Sequence, residues 1–73
     1  MIHEHDTVAL RVDLPEHGLC QGDLGTVVML HGESGCEVEF MTLDGQTMAV
    51  VSLANDSIRL TGEREIAHAR ALS

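Results

Sequence analysis

Short stretches in which apolar and polar residues alternate, separated by glycine-bearing turns, make up the chain as far as Thr61. A period of two is that of a half-buried strand. Over 6–12, Val8, Leu10 and Val12 alternate with Thr7, Ala9 and Arg11, which predicts a first strand with one apolar face. A long excursion follows from Asp13 to Asp23, where Pro15 interrupts pairing and Gly18 and Gly22 supply turn positions. The second strand is expected over 25–31; its run Val27-Val28-Met29-Leu30 is apolar on both faces, as in a strand covered on both sides. Gly32 to Gly35 forms a hairpin turn. The third strand, 36–41, has the clearest alternation, with Cys36, Val38 and Phe40 inward and Glu37, Glu39 and Met41 outward. Asp44-Gly45 is a strong hairpin signal, the fourth strand is expected over 46–53, and Ala54 to Ser57 reads as a tight turn or one 3-10 turn. A short last strand places Ile58 and Leu60 inward around Arg59.

Five short strands with a long first loop, two tight hairpins and a short turn before the last strand follow the order of an SH3-like barrel. The expected fold class is therefore all-β, a five-stranded SH3-like barrel over 1–61, because closure removes the exposed edges of so small a sheet. Its predicted core holds Val8, Leu10, Val27, Val38, Phe40, Val51, Ile58 and Leu60. From Gly62 to Ser73 the residues change to helix formers, Glu63, Arg64, Glu65, Ala67, Ala69, Arg70, Ala71 and Leu72. A short C-terminal helix is expected there, with Thr61 as its cap and a thin apolar stripe of Ile66, Ala69 and Leu72. A helix of that length is marginal by itself and needs packing.

Composition narrows the function classes. The 73 residues are one domain at most. Twelve acidic and four basic side chains, none of them lysine, give a net charge of −8, with ten acidic and two basic residues before Gly62. With one aromatic residue, Phe40, this argues against nucleic acid, which needs clustered cations and stacking rings, and against an anionic membrane surface. No apolar run approaches the ~20 residues of a membrane span, and the N-terminal stretch does not resemble a signal peptide. Cys20 and Cys36 are the only cysteines, without a CxxC motif. Two reduced thiols in a cytoplasmic protein are expected; a Cys20–Cys36 disulfide stays open, because sequence does not give the separation of the two Cα atoms.

The stretches Asp6-Thr7-Val8, Asp13-Leu14-Pro15-Glu16-His17-Gly18-Leu19, Gly22-Asp23-Leu24-Gly25-Thr26-Val27-Val28, Glu37-Val38-Glu39-Phe40 and Asp44-Gly45-Gln46-Thr47 before Val50 resemble the small bacterial family catalogued as domain of unknown function 4926. The resemblance runs from about Asp6 to Leu60 and leaves out His3, His5 and the tail. It implies a stand-alone SH3-like barrel, similar in shape to the accessory barrel of the nitrile hydratase β subunit and to KOW-type modules. No activity is implied.

The residues with chemical potential each have a plain structural role beside them. His17 and Cys20, three apart in the long loop, could give two ligands to a borderline metal, but two more are needed for a closed site and none has matching spacing. His3 and His5 would share one face of an extended N-terminal segment, and the amine, two amides and the His3 ring could form a plane for Cu(II) or Ni(II); a frayed polar terminus is the ordinary alternative. Gly22-Asp23-Leu24-Gly25 is followed by a strand and no lysine exists, so a tight turn is expected rather than a phosphate loop. Glu37 and Glu39 lack a nucleophile or histidine to make an acid–base site, and Ser34, Ser52 and Ser57 have no nucleophile-elbow context. A single small barrel also has little concave volume for a small-molecule substrate. No enzyme activity and no cofactor are expected. The expected role is a non-catalytic interaction module that binds a separate protein or itself, through Met29, Met41, Met48 and the acids Glu37 and Glu39, with Ile66, Ala69 and Leu72 of the tail covering apolar surface on the barrel or a neighbour. An acidic inhibitor or antitoxin-like partner of a basic protein and a metal-handling protein using His3, His5, His17 and Cys20 are the alternatives.

Overall fold

A computed structural model describes residues 1–72. It contains five strands, β1 (Thr7–Leu10), β2 (Leu24–His31), β3 (Gly35–Met41), β4 (Thr47–Ala54) and β5 (Ile58–Leu60), in one antiparallel sheet of order β4-β3-β2-β1-β5. The all-β expectation holds, but the sheet is not closed: β4 and β5 are its two edges and do not pair with each other. The sheet nevertheless folds around one core, which takes Val8 and Leu10 from β1, Val27 from β2, Cys36, Val38 and Phe40 from β3, Val51 and Leu53 from β4 and Ile58 from β5.

The inner face follows from the register. Val27, Val38 and Val51 stand in one cross-strand row, and Cys36 stands opposite Leu53. Phe40, the single aromatic residue, is 3% exposed. On β3 every inward residue of the expected alternation is buried. Two glycines leave space that neighbours fill, core side chains at Gly25 and the β4 backbone at Gly35. A Cβ at Gly25 would stand 2.5 Å from Val38 Cγ1, and one at Gly35 would stand 2.7 Å from the Leu53 carbonyl oxygen.

β2 departs from expectation. The pairing shifts between Val27 and Met29, so Val28 is left without a partner. This bulge reverses the alternation, turning Met29 to the outer face opposite Glu37. Val27 is buried while Val28 and Met29 are exposed, so this strand is covered on one side only, and Leu30, opposite Cys36, is exposed although it lies on the core side. Leu60, expected in the core, is exposed; it pairs with Val8 but is the last residue of a three-residue edge strand, at the rim of the core. Val12 is exposed because β1 ends at Leu10. The missing core volume comes from the long loop. Leu14 and Leu19 bridge across a 3-10 turn at Pro15–His17, burying Leu19 against the core with Leu14 packed beside it.

Both termini differ from the sequence expectation. The N-terminal segment is tied down: His5 N–H donates to Val27 O at 2.7 Å, Val27 N–H donates to Asp6 O at 2.9 Å, and Ile2 packs on the core. The C-terminal helix does not form among the described residues of 62–73, and Ser73 lies outside them. Instead of capping a helix, the Thr61 hydroxyl donates to Thr7 O. Glu65 accepts from Gly62 N–H and pairs with Arg59 at 2.7 Å, and Arg70 reaches back to the long loop. A helix this short is marginal, and these contacts use its end residues elsewhere. Ile66 is 97% exposed, so it does not dock the tail through an apolar stripe.

Candidate functional site

The outer face of β2, β3 and β4 brings together most of the residues that the sequence singles out for interaction. Met29, Glu37 and Ser52 form one cross-strand row, and Thr26, Glu39 and Val50 the next. Met41 stands opposite Thr47, with Met48 unpaired at a second register shift beside them. Met29, Met41 and Val50 are 50%, 49% and 52% exposed. Such half-exposure leaves apolar surface facing water between two carboxylates.

Those carboxylates are held in place. The His31 ring nitrogen Nε2 lies 2.8 Å from Glu37 Oε2, and the Thr47 hydroxyl donates to Glu39 Oε2 at 2.6 Å. A shallow depression of about 150 Å³ lies between Leu24, Thr26, Glu39 and Met41. A second, of about 210 Å³, lies where the tail crosses β1 and β5, between Thr7, Ala9, Arg59, Glu65 and Ile66. Ala9 faces away from the core and is nevertheless buried there. Both volumes are below the roughly 300–1,000 Å³ of an ordinary small-molecule pocket. The outer face is therefore broad and shallow.

The tail is fastened by charge. Arg70 Nε donates to Asp23 Oδ1 at 2.8 Å, Nη2 donates to Asp23 Oδ2 at 2.7 Å, and Nη2 also donates to Gly18 O at 3.0 Å. The two-pronged hydrogen bond from Arg70 holds the Asp23 carboxyl below its usual range against a partial desolvation, helped by Cys20 N–H. Glu65 is likewise lowered, first by its hydrogen bond from Arg59 and then by Gly62 N–H. Asp23 thus shapes the turn into β2 and anchors the tail.

The other candidates lie apart from the outer face. His3 and His5 do not share the face of an extended segment: a turn separates them, with Asp6 N–H donating to His3 O and His5 at φ 73°. The His3 amide donates to Asp6 Oδ2 at 2.7 Å. His17 ends the 3-10 turn of the long loop, and Cys20 is exposed beyond Gly18. No group of three or more His, Cys, Asp or Glu side chains converges among the described residues. Both cysteines are free, Cys20 exposed and Cys36 buried, and burial pushes the Cys36 thiol pKa up. Ala69 and Leu72 lie on the tail and are exposed. Sequence reasoning missed Val50, His31 and Thr47 on the outer face; Val50 stands in an uninterrupted apolar run, Ala49-Val50-Val51, with no alternation to mark its direction.

A family model described as Domain of unknown function (DUF4926) matches residues 4–60. The chain belongs to this family. In this DUF4926 member the match takes in all five strands and the long loop, and stops before the tail. It begins earlier than the quoted resemblance, so His5 falls inside it. No curated protein and no solved structure matches the chain.

Proposed function

We propose that this DUF4926 member is a non-catalytic protein-interaction module whose working surface is the outer face of β2–β4. The observation that supports it best is the set of half-exposed apolar side chains, Met29, Met41 and Val50, interleaved with the positioned acids Glu37 and Glu39. Interfaces combine an apolar centre with a polar rim, and methionine adapts to irregular contacts. The partner this face suits is a protein with its own apolar patch ringed by Arg or Lys. The net charge of −8 steers such a partner in and weakens the contact as salt rises. An inhibitor of a basic protein is one form of this role. The module is proposed to be an SH3-like barrel, for which the strand order, the β2 bulge and the 3-10 turn before β5 speak. Its proposed compartment is the cytoplasm, in keeping with two free thiols; among the described residues no helix is long and apolar enough to cross a membrane.

The test is paired affinity capture from the native host with the wild type and with Glu37→Lys/Glu39→Lys. A basic protein retained by the wild type, released by salt and lost with the variant supports the proposal. Identical captured sets overturn it.

A further inference from the structure

The two edges of the sheet are unlike. β5 has three residues, carries Arg59, and is followed by the tail, with Arg59 tied to Glu65 and Thr61 bonded back to Thr7. β4 has eight residues, Thr47–Ala54, with no charge and no proline. Among the described residues it pairs only with β3, so its other side presents unpaired backbone N–H and C=O groups. Edge strands in proteins that stay apart are normally short, charged, bulged or covered. The only such device on β4 is the register shift at Met48, near one end; Val50, Val51 and Ser52 beyond it pair regularly with β3.

We infer that β4 is a pairing edge for a second copy of this chain, the two β4 strands running antiparallel about a two-fold axis near Val50 and Val51. A two-fold contact places the same patch on both partners, and antiparallel pairing of an edge with itself meets that condition. The occupant follows from charge. A chain of net charge −8 repels its copy wherever acidic surfaces meet, yet β4 carries no acid. Across the seam the nearest row of acids is Glu39 facing its copy, each on β3. Three strand spacings of about 4.8 Å separate them, about 14 Å in all. That exceeds the Debye length of about 8 Å at physiological salt. A strongly basic partner would gain little at an uncharged strand, whereas a second copy pays little repulsion there. The contact is made by the backbone edge of β4 and shares only the strand's own side chains, Val50 and Ser52, with the outer face, so a substitution on β2 such as Met29→Lys separates it from the role proposed for that face.

Sedimentation equilibrium at about 100 μM in about 0.15 M salt tests it, where charges beyond a Debye length are screened. Three chains are compared: the wild type, Val50→Lys/Ser52→Lys, and Met29→Lys. The double variant places on the edge the charges that natural edges use, beside Glu39 and Glu37 of the same chain, and circular dichroism checks that it remains folded. The wild type and Met29→Lys are expected at twice the chain mass. The double variant is expected close to the chain mass, its dissociation constant raised about a hundredfold or more by like charges meeting across the axis. Hydrogen exchange of β4 amides in the wild type slows as concentration rises. A wild type at the chain mass, a double variant that stays dimeric, a Met29→Lys chain that dissociates equally, or β4 exchange that ignores concentration each overturns the inference.

Discussion

Replacing Gly25 with alanine puts a methyl group into occupied space. On β2, Gly25 pairs with Val8 on one side, and its inner side meets β3. The new Cβ would stand 2.5 Å from Val38 Cγ1, 2.9 Å from Phe40 Cε1 and 3.0 Å from Phe40 Cδ1. Carbon atoms pack at about 3.5–4.0 Å, so the neighbours must retreat by about 1 Å. They have little room, since Val38 and Phe40 are buried between strands on both sides. Overpacking of this kind costs about 1–3 kcal/mol, against a stability of roughly 3–5 kcal/mol for a domain of this size. The chain has no Trp or Tyr, so far-UV circular dichroism is the suitable probe of urea unfolding. With a slope of about 1 kcal/mol per molar urea for a small domain, the midpoint should fall by about 1–3 M. Phe40→Leu removes ring atoms that the methyl group strikes, so in that background Gly25→Ala should cost less by about 0.5–3 kcal/mol. A midpoint shift under about 0.5 M would refute the close approach of β2 and β3 at this position, and strict additivity of the two changes would refute the contact with the Phe40 ring.

Two further outcomes follow from the tail and the cysteines. Arg70→Gln keeps a donor but loses the charged fork on Asp23, so the amides of the tail should become mobile by NMR relaxation while those of β1–β4 do not change. Because the folded Asp23 pKa lies below its unfolded value of about 3.9, the clasp is complete above about pH 4 and is lost as the pH falls through the folded value. The wild-type tail should therefore loosen on acidification and the Arg70→Gln tail should not, and equal tail order in both chains at neutral pH would contradict the clasp. In the folded chain a thiol reagent should modify Cys20 quickly and Cys36 only after unfolding, since burial raises the Cys36 pKa and shields its Sγ; two equally fast thiols would refute this burial.

Legibility varied with how local the cause was. β3 could be read residue by residue because its alternation is uninterrupted, and Asp44-Gly45 marked the β3–β4 turn, where Gly45 has φ 90°. The all-β class and the family both follow from such local patterns. The β2 bulge was hidden because Val27, Val28, Met29 and Leu30 are all apolar, so the reversal at Val28 leaves no trace in polarity. Alternation alone puts Glu37, Glu39 and Met41 on the outer face. Val50 joins them only through the register of β4 on β3. In the tail, propensity favours a helix, while the contacts that form are distant in sequence. Arg70 and Asp23 are 47 positions apart, a pairing that no periodicity carries. Openness of the sheet is also nonlocal, since it depends on whether β4 and β5 meet.

The proposed partner surface is the outer face of β2–β4. Photo-crosslinking in the native host tests it directly, with a photoreactive residue placed at position 29 or 41 on that face, or at position 16 in the long loop or 63 in the tail. A discrete adduct to a basic protein from positions 29 and 41, and none from 16 and 63, is the predicted result. Adducts from 16 or 63 with none from 29 and 41 would place the partner elsewhere and overturn the proposal.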